Sequence, residues 1–253
     1  MTTRTHTVLD RTVTMPVRVR TATAATAMFS VPADRAQVMV DHSGLEVLEY
    51  RPGRSVVGLV FVRYVDGDLG PYDEFGVCVL VRRHDSPARR TTAGNLRSLV
   101  RGDAGVLIHR LPVSGEFTMA AGRGIWGFPK TLAEFDTDLE SPCKHVVLRQ
   151  DGQLVADLRV RPGLRLPAPG SSMALTAYSH LDGVTRHTSW EMDPQGIRSR
   201  PGGADLRLGD HPIGRELAGR VAPLEAQRLT EWAVALTDKA GISQLLSRES
   251  ARP

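Results

Sequence analysis

The chain has 253 residues, 41% hydrophobic and 24% charged, with a formal net charge of +4. That length suits one large domain or two small ones with a buried core, and the composition excludes a disordered or fibrous chain. The apolar run Val56–Val62 is far too short to span a bilayer, so no membrane partner is expected.

The first twenty residues, "MTTRTHTVLDRTVTMPVRVR", are basic and threonine-rich and lack the continuous apolar stretch of a signal peptide. They read as a loose arm or an opening strand. A single domain is expected over residues 21–245, with a tail over 246–253. "SVPADRAQVMV" offers Ser30 as a helix N-cap, with Pro32 early in a short helix. Strands are expected at Val56–Val65 and Phe75–Arg82, separated by the turn-rich "DGDLGPYDE". Further strands are expected at Ala104–Leu111, His145–Leu148, Leu154–Val160, Met173–Tyr178 and Thr185–Met192. "HPIGRELAG" reads as a short helix from His211, while Leu229–Leu236 fits strand or helix equally. Many short strands with few helices give an α+β class, an antiparallel sheet or barrel with peripheral helices.

Several chemistries find no support. The histidines at 84, 109, 145, 180, 187 and 211 have no ligand spacing, and Asp66-Gly67-Asp68 lacks the spacing of a calcium loop, so no metal is expected. There is no G-x-S-x-G elbow. Residues 82–101 carry six arginines against one aspartate, but without interleaved aromatics they read as an exposed basic loop, not a nucleic-acid surface. Cys78 and Cys143 follow no pairing pattern, which points to a reducing, cytoplasmic setting.

The stretch "GRGIWGFPKTL", residues 122–132, carries the chemistry. Gly122, Gly124 and Gly127 match a dinucleotide loop, but Pro129 follows at once and biases Phe128 away from helix, where a phosphate loop needs one to begin. No nucleotide cofactor is expected. Lys130 is one of only three lysines, with Lys144 and Lys239, in a chain whose positive charge is otherwise arginine. Arginine cannot lose its proton to become a nucleophile and lysine can. Trp126, Phe128, Pro129 and Leu132 would surround Lys130 with apolar surface, which disfavours the ammonium form. Spacing alone is equally met by a surface lysine after a turn.

The same stretch resembles the active-site segment of the acetoacetate decarboxylase family, in which G-R-E-x-x-x-[FY]-P-K-K carries a Schiff-base lysine. "GPYDEFG" (70–76), "SSMALTAYSHLDG" and "ADLRLGDHPIGREL" resemble later or flanking family segments in the same order, from about Val31 to Leu236. The resemblance implies an acetoacetate decarboxylase-like barrel and a pocket inside it. It assigns Lys130 as nucleophile and Glu74 as carboxylate partner, although on residues alone Glu74 also reads as a solvated loop side chain. It places Arg123, Trp126, Phe128 and Tyr72 around the substrate, with Arg20 the nearest match to the family's N-terminal substrate-binding arginine and Arg18 the alternative. Three family residues are replaced: the second lysine by Thr131, the G-R-E glutamate by Gly124, and a second carboxylate near Leu59. The implied activity is a cofactor-free Schiff-base lyase acting on a small keto acid, as a cytoplasmic homo-oligomer. Decarboxylation of a β-keto acid, aldol-dehydration through the same lysine, and binding without turnover all remain open.

Overall fold

The computed structural model describes residues 4–83, 104–167, 173–220, 232–236 and 241–245. A hairpin, β1 (Arg4–Val8) and β2 (Arg11–Met15), leads into the long β3 (Val17–Pro32). Helix α1 (Ala33–Val40) and β4 (Leu45–Val47) precede the long pair β5 (Arg54–Gly67) and β6 (Tyr72–Arg83). Next come β7 (Gly105–Val113), α2 (Glu116–Ala121), a π-helical turn (Gly122–Trp126), β8 (Lys130–Leu132) and β9 (Glu134–Asp138). After them lie β10 (Lys144–Gln150), β11 (Gln153–Val160), β12 (Leu164–Arg165), β13 (Met173–Leu181) and β14 (Val184–Asp193). The last described elements are β15 (Ile197–Pro201), β16 (Ala204–Leu208), α3 (Pro212–Arg220), β17 (Trp232–Leu236) and β18 (Gly241–Leu245).

Strand pairing runs from β3 through β5, β6, β7, β13, β14 and β18 and returns to β3, which closes a barrel. The ring is antiparallel except at β7–β13, and β8 adds a second parallel pairing on β7. Closure leaves these strands no free edge within the ring. The expected α+β barrel with peripheral helices is therefore observed, with a parallel seam that periodicity does not reveal.

Alternation along the strands sorts side chains onto two faces. Val62, Tyr64, Tyr72, Ile108, Val113 and Ala177 belong to one buried cluster, which lines the barrel interior. Phe61, Leu59, Phe75, Val77 and Val79 face the other way, into a cluster shared with Val146, Leu148, Val155 and Leu158. That outer core lies under a second sheet, ordered β16-β11-β10-β9, and under α1 and α3. Phe61 is fully buried and reaches Phe135 of β9 at 6.1 Å between ring centroids.

Several expectations need correction. Of the two readings of the first twenty residues, the opening strand is the one observed and the loose arm is not: β1 and β2 form a hairpin, Val13 and Met15 are buried, and β3 starts at Val17, so a boundary at residue 20 falls inside a strand. Ser30 does not cap α1. It lies in β3 with its hydroxyl 2.7 Å from that of Tyr50, and the residue before the helix is Pro32. Strand β6 begins at Tyr72 rather than Phe75, because Tyr72 and Asp73 already pair with Tyr64 and Arg63. Trp232–Leu236 is a strand, while residues 84–101 of the basic segment and the tail over 246–253 lie outside the described residues. Among the described residues no helix is long and apolar enough to cross a membrane.

Helix α3 is tied to the barrel through Glu216, which accepts from His109 at 2.8 Å and from Arg110 at 3.0 Å. Burial alone would raise this carboxyl. The His109 hydrogen bond, with the charges of His109 and Arg110, outweighs it and brings the group from 4.5 down to about 2. A carboxyl depressed in the folded state contributes stability above its unfolded value and loses it as pH falls through the folded one. We expect Glu216→Gln to flatten the loss of stability between pH 4.5 and about 2 and to cost about 1 kcal/mol at neutral pH, after discounting for partial exposure. Thermal unfolding across that range measures both.

Candidate active site

Glu74 lies on β6 between Asp73 and Phe75, so alternation turns it into the barrel while its neighbours face out. Lys130 opens β8, whose parallel pairing sets Lys130 opposite Leu111 of β7. β6 and β7 are neighbours in the ring, and the two side chains meet inside it: Lys130 Nζ is 2.7 Å from Glu74 Oε2. Both side chains are buried, at 4% and 7% exposure. A buried unpaired charge is costly, so each group requires the other.

Two tyrosines complete the surroundings. The Tyr64 hydroxyl donates to the other Glu74 oxygen, Oε1, at 3.0 Å. Tyr72, paired across the strands with Tyr64, stacks on it at 4.3 Å between centroids and lies 5.0 Å beneath the Lys130 ammonium. Burial, then the charge of Glu74, pushes both phenols well above their ordinary value, so each remains a neutral O–H donor. The same tyrosines, with Arg63, Asp73 and Ser114, line an open depression of about 350 Å3. Tyr64 is absent from the residues picked out by sequence. Its signal was available in the alternation of Val62 and Tyr64 along an apolar strand facing Tyr72.

The glycine-rich stretch ends a helix and does not begin one. Helix α2 runs into the π-helical turn Gly122–Trp126, closed by Gly127 in the left-handed region at φ 65°. Such an end presents carbonyls where a phosphate needs N–H groups. Gly122 is required for close approach instead, since a Cβ there would lie 2.4 Å from Lys130 Cδ and 2.6 Å from Cε. The bare backbone of the turn therefore packs directly on the lysine's methylene chain. A Cβ on Gly124 would meet nothing within 4 Å, so glycine at that position leaves the surface open.

The other expected residues divide. Trp126 and Phe128 are buried in the barrel cluster, stacked at 6.1 Å, and Trp190 meets Phe128 edge-on at 6.1 Å. Leu132 is 38% exposed and does not shield the lysine. Arg123 is exposed and donates to the Lys130 backbone carbonyl at 3.2 Å, away from the amine. Arg20 points outward, in ion pairs at 2.7 Å with Asp66 and Asp68, so this structure does not bring it to the pair. Arg18 also lies on the exposed face of β3. Leu59, where a second carboxylate was sought, faces the outer core, and the residue directly opposite Glu74 is Val62. The Cys78 thiol is pushed up to about 12 by burial and then by Glu74, which keeps it protonated and unreactive. Lys144 is buried against the outer core, where its ammonium donates to the Leu139 carbonyl.

No curated protein sequence matches the chain. Among solved structures, acetoacetate decarboxylase from Legionella pneumophila superposes with a TM-score of 0.60 at 18% identity, covering 94% of this chain and 87% of that one. The enduracididine biosynthesis enzyme MppR, complexed with the condensation product of pyruvate and imidazole 4-carboxaldehyde, gives 0.60 at 16% identity, covering 92% and 88%. An acetoacetate decarboxylase-like enzyme from Sphingomonas wittichii gives 0.57 at 11% identity, covering 94% of both chains. These similarities establish a shared fold. The sequence profile described as acetoacetate decarboxylase (ADC) matches residues 3–241, nearly the whole chain. The chain belongs to the acetoacetate decarboxylase family.

Proposed function

We propose that this protein is a Schiff-base lyase acting on a small keto acid, with Lys130 as nucleophile and Glu74 as its proton partner. The observation that carries this reading is the 2.7 Å contact between Lys130 Nζ and a Glu74 oxygen inside the barrel. Transfer of one proton from Nζ to Oε2 leaves a neutral amine and a neutral acid, with no change in net buried charge. The amine adds to a ketone carbon and passes one of its two protons to the oxygen; the Glu74 proton then joins it, and the oxygen leaves as water, giving the protonated iminium. In a β-keto acid, the carbon–carboxylate bond then breaks and its electron pair moves to the iminium nitrogen. Carbon dioxide departs, and the resulting enamine takes a proton at carbon before hydrolysis releases the product. Tyr64, donating to the second Glu74 oxygen, holds the carboxyl in place while the first exchanges its proton.

A second reading is aldol-dehydration through the same iminium. It draws support from Val62 opposite Glu74, which leaves the pair without a second cross-strand carboxylate, and from a relative of this fold that holds a pyruvate condensation product. Both readings require Lys130 to capture a ketone. Capture without turnover describes a binding protein.

Borohydride trapping with acetoacetate and, separately, pyruvate tests the shared step. Peptide mass spectrometry is expected to place the reduced adduct on Lys130 and to find none in Lys130→Arg, with carbon dioxide evolved from acetoacetate if decarboxylation is the outcome. No adduct from these or from a wider set of ketones would remove the lyase reading. Gly122→Ala forces a methyl group into the lysine chain, and we expect trapping to slow by about 100-fold while the fold persists by circular dichroism. Unchanged trapping would show that the lysine chain has other room. Tyr64→Phe keeps the ring stack but removes the donor to Glu74; kcat/KM should drop about tenfold with the adduct still formed.

A further inference from the structure

Among the described residues, two indole nitrogens of the barrel cluster are left without partners. The indole Nε1 atoms of Trp126 and Trp190 are both buried and meet no acceptor. Trp126 is 4% exposed and leads into the segment carrying Lys130, while Trp190 comes from β14 and packs against the same interior cluster. Both indoles flank the ring of Phe128. A buried donor with no acceptor costs about 1–3 kcal/mol, and native proteins tolerate few. Two such donors around one ring imply an acceptor-bearing guest.

We infer that the Trp126 and Trp190 indole N–H groups together seat the carboxylate of the substrate. This rests on Lys130 being the amine that captures the ketone. Once the keto oxygen has left as water, the acceptors remaining on a small keto acid are its two carboxylate oxygens, one for each indole. Among the described residues, Arg123 donates to the Lys130 carbonyl, and Arg186 Nη1 donates to the carbonyls of Leu181 and Val184. A carboxylate held by two neutral donors in apolar surroundings is oriented, yet less stabilised than in water. Its departure as uncharged carbon dioxide is favoured accordingly.

The chain has three tryptophans, so 15N-tryptophan labelling gives three indole signals. Trp126→Phe and Trp190→Phe each delete one and assign the pair. Propionate, which has a carboxylate but no ketone, should move both assigned indole protons downfield in a saturable way. Acetone should move neither. Each Phe variant should weaken propionate binding about fivefold or more. In borohydride trapping, the half-saturating pyruvate concentration should rise by a similar factor, while that for acetone stays within about twofold. Propionate leaving both indoles unmoved, or Phe variants that weaken pyruvate and acetone alike, would overturn the assignment. If neither ketone is trapped by the wild-type protein, the lysine chemistry falls, and the propionate titration still decides whether the indoles seat a carboxylate.

Discussion

The ion pair between Lys130 and Glu74 is the constraint on which the rest of the site depends. A lone charge in an apolar interior is costly by several kcal/mol, so neither residue is tolerable there without the other. The barrel satisfies both at once by placing β6 and β8 on opposite sides of β7. Tyr64 then occupies the remaining Glu74 oxygen, and the Tyr72 ring lies under the ammonium. Four residues from three strands thus form one polar island in a wall otherwise built largely of aliphatic and aromatic side chains.

The lysine is held as much by what is missing as by what is present. Gly122 lets a helical turn settle onto the lysine's methylenes, and the left-handed Gly127 turns the chain so that Phe128 and Lys130 can enter the barrel. A reactive amine gains from this confinement, because an amine already aimed at its partner loses little entropy on meeting a carbonyl. The same glycines give the false look of a phosphate loop. Chain direction separates the two readings: the helix precedes the glycines here, and a phosphate cradle requires one to follow.

Arg20 and Leu59 show where motif order misleads. Arg20 stands at a plausible distance along the chain from the active-site segments. On β3, however, it alternates with the buried Val17 and Val19, so it faces solvent and takes Asp66 and Asp68 as partners. Leu59 is an odd-numbered neighbour of Phe61 on β5, and both face the outer core with Val57. A carboxylate at that position would enter the layer between barrel and second sheet, out of reach of the lysine. The position facing Glu74 is Val62, and the strand's polar contribution comes two residues later from Tyr64.

The sequence by itself determined the fold class, part of the elements and the family, and it marked out the candidate segment. Alternating β-branched runs broken by glycine, proline and aspartate mark seven of the eighteen described strands to within a few residues, and the ordered family segments single out Lys130 and Glu74. Both signals are local, written in spacing of two residues or in a contiguous motif. Tertiary structure alone decided which residues meet. The parallel seam of β7 with β13 and β8, the rotation of Arg20 to the surface, and the meeting of Tyr64 and Tyr72 at the Lys130–Glu74 pair all depend on pairing register between distant strands. A shift of one residue reverses every side chain on a strand. Register is set by how whole sheets bury their faces, and no single segment encodes it.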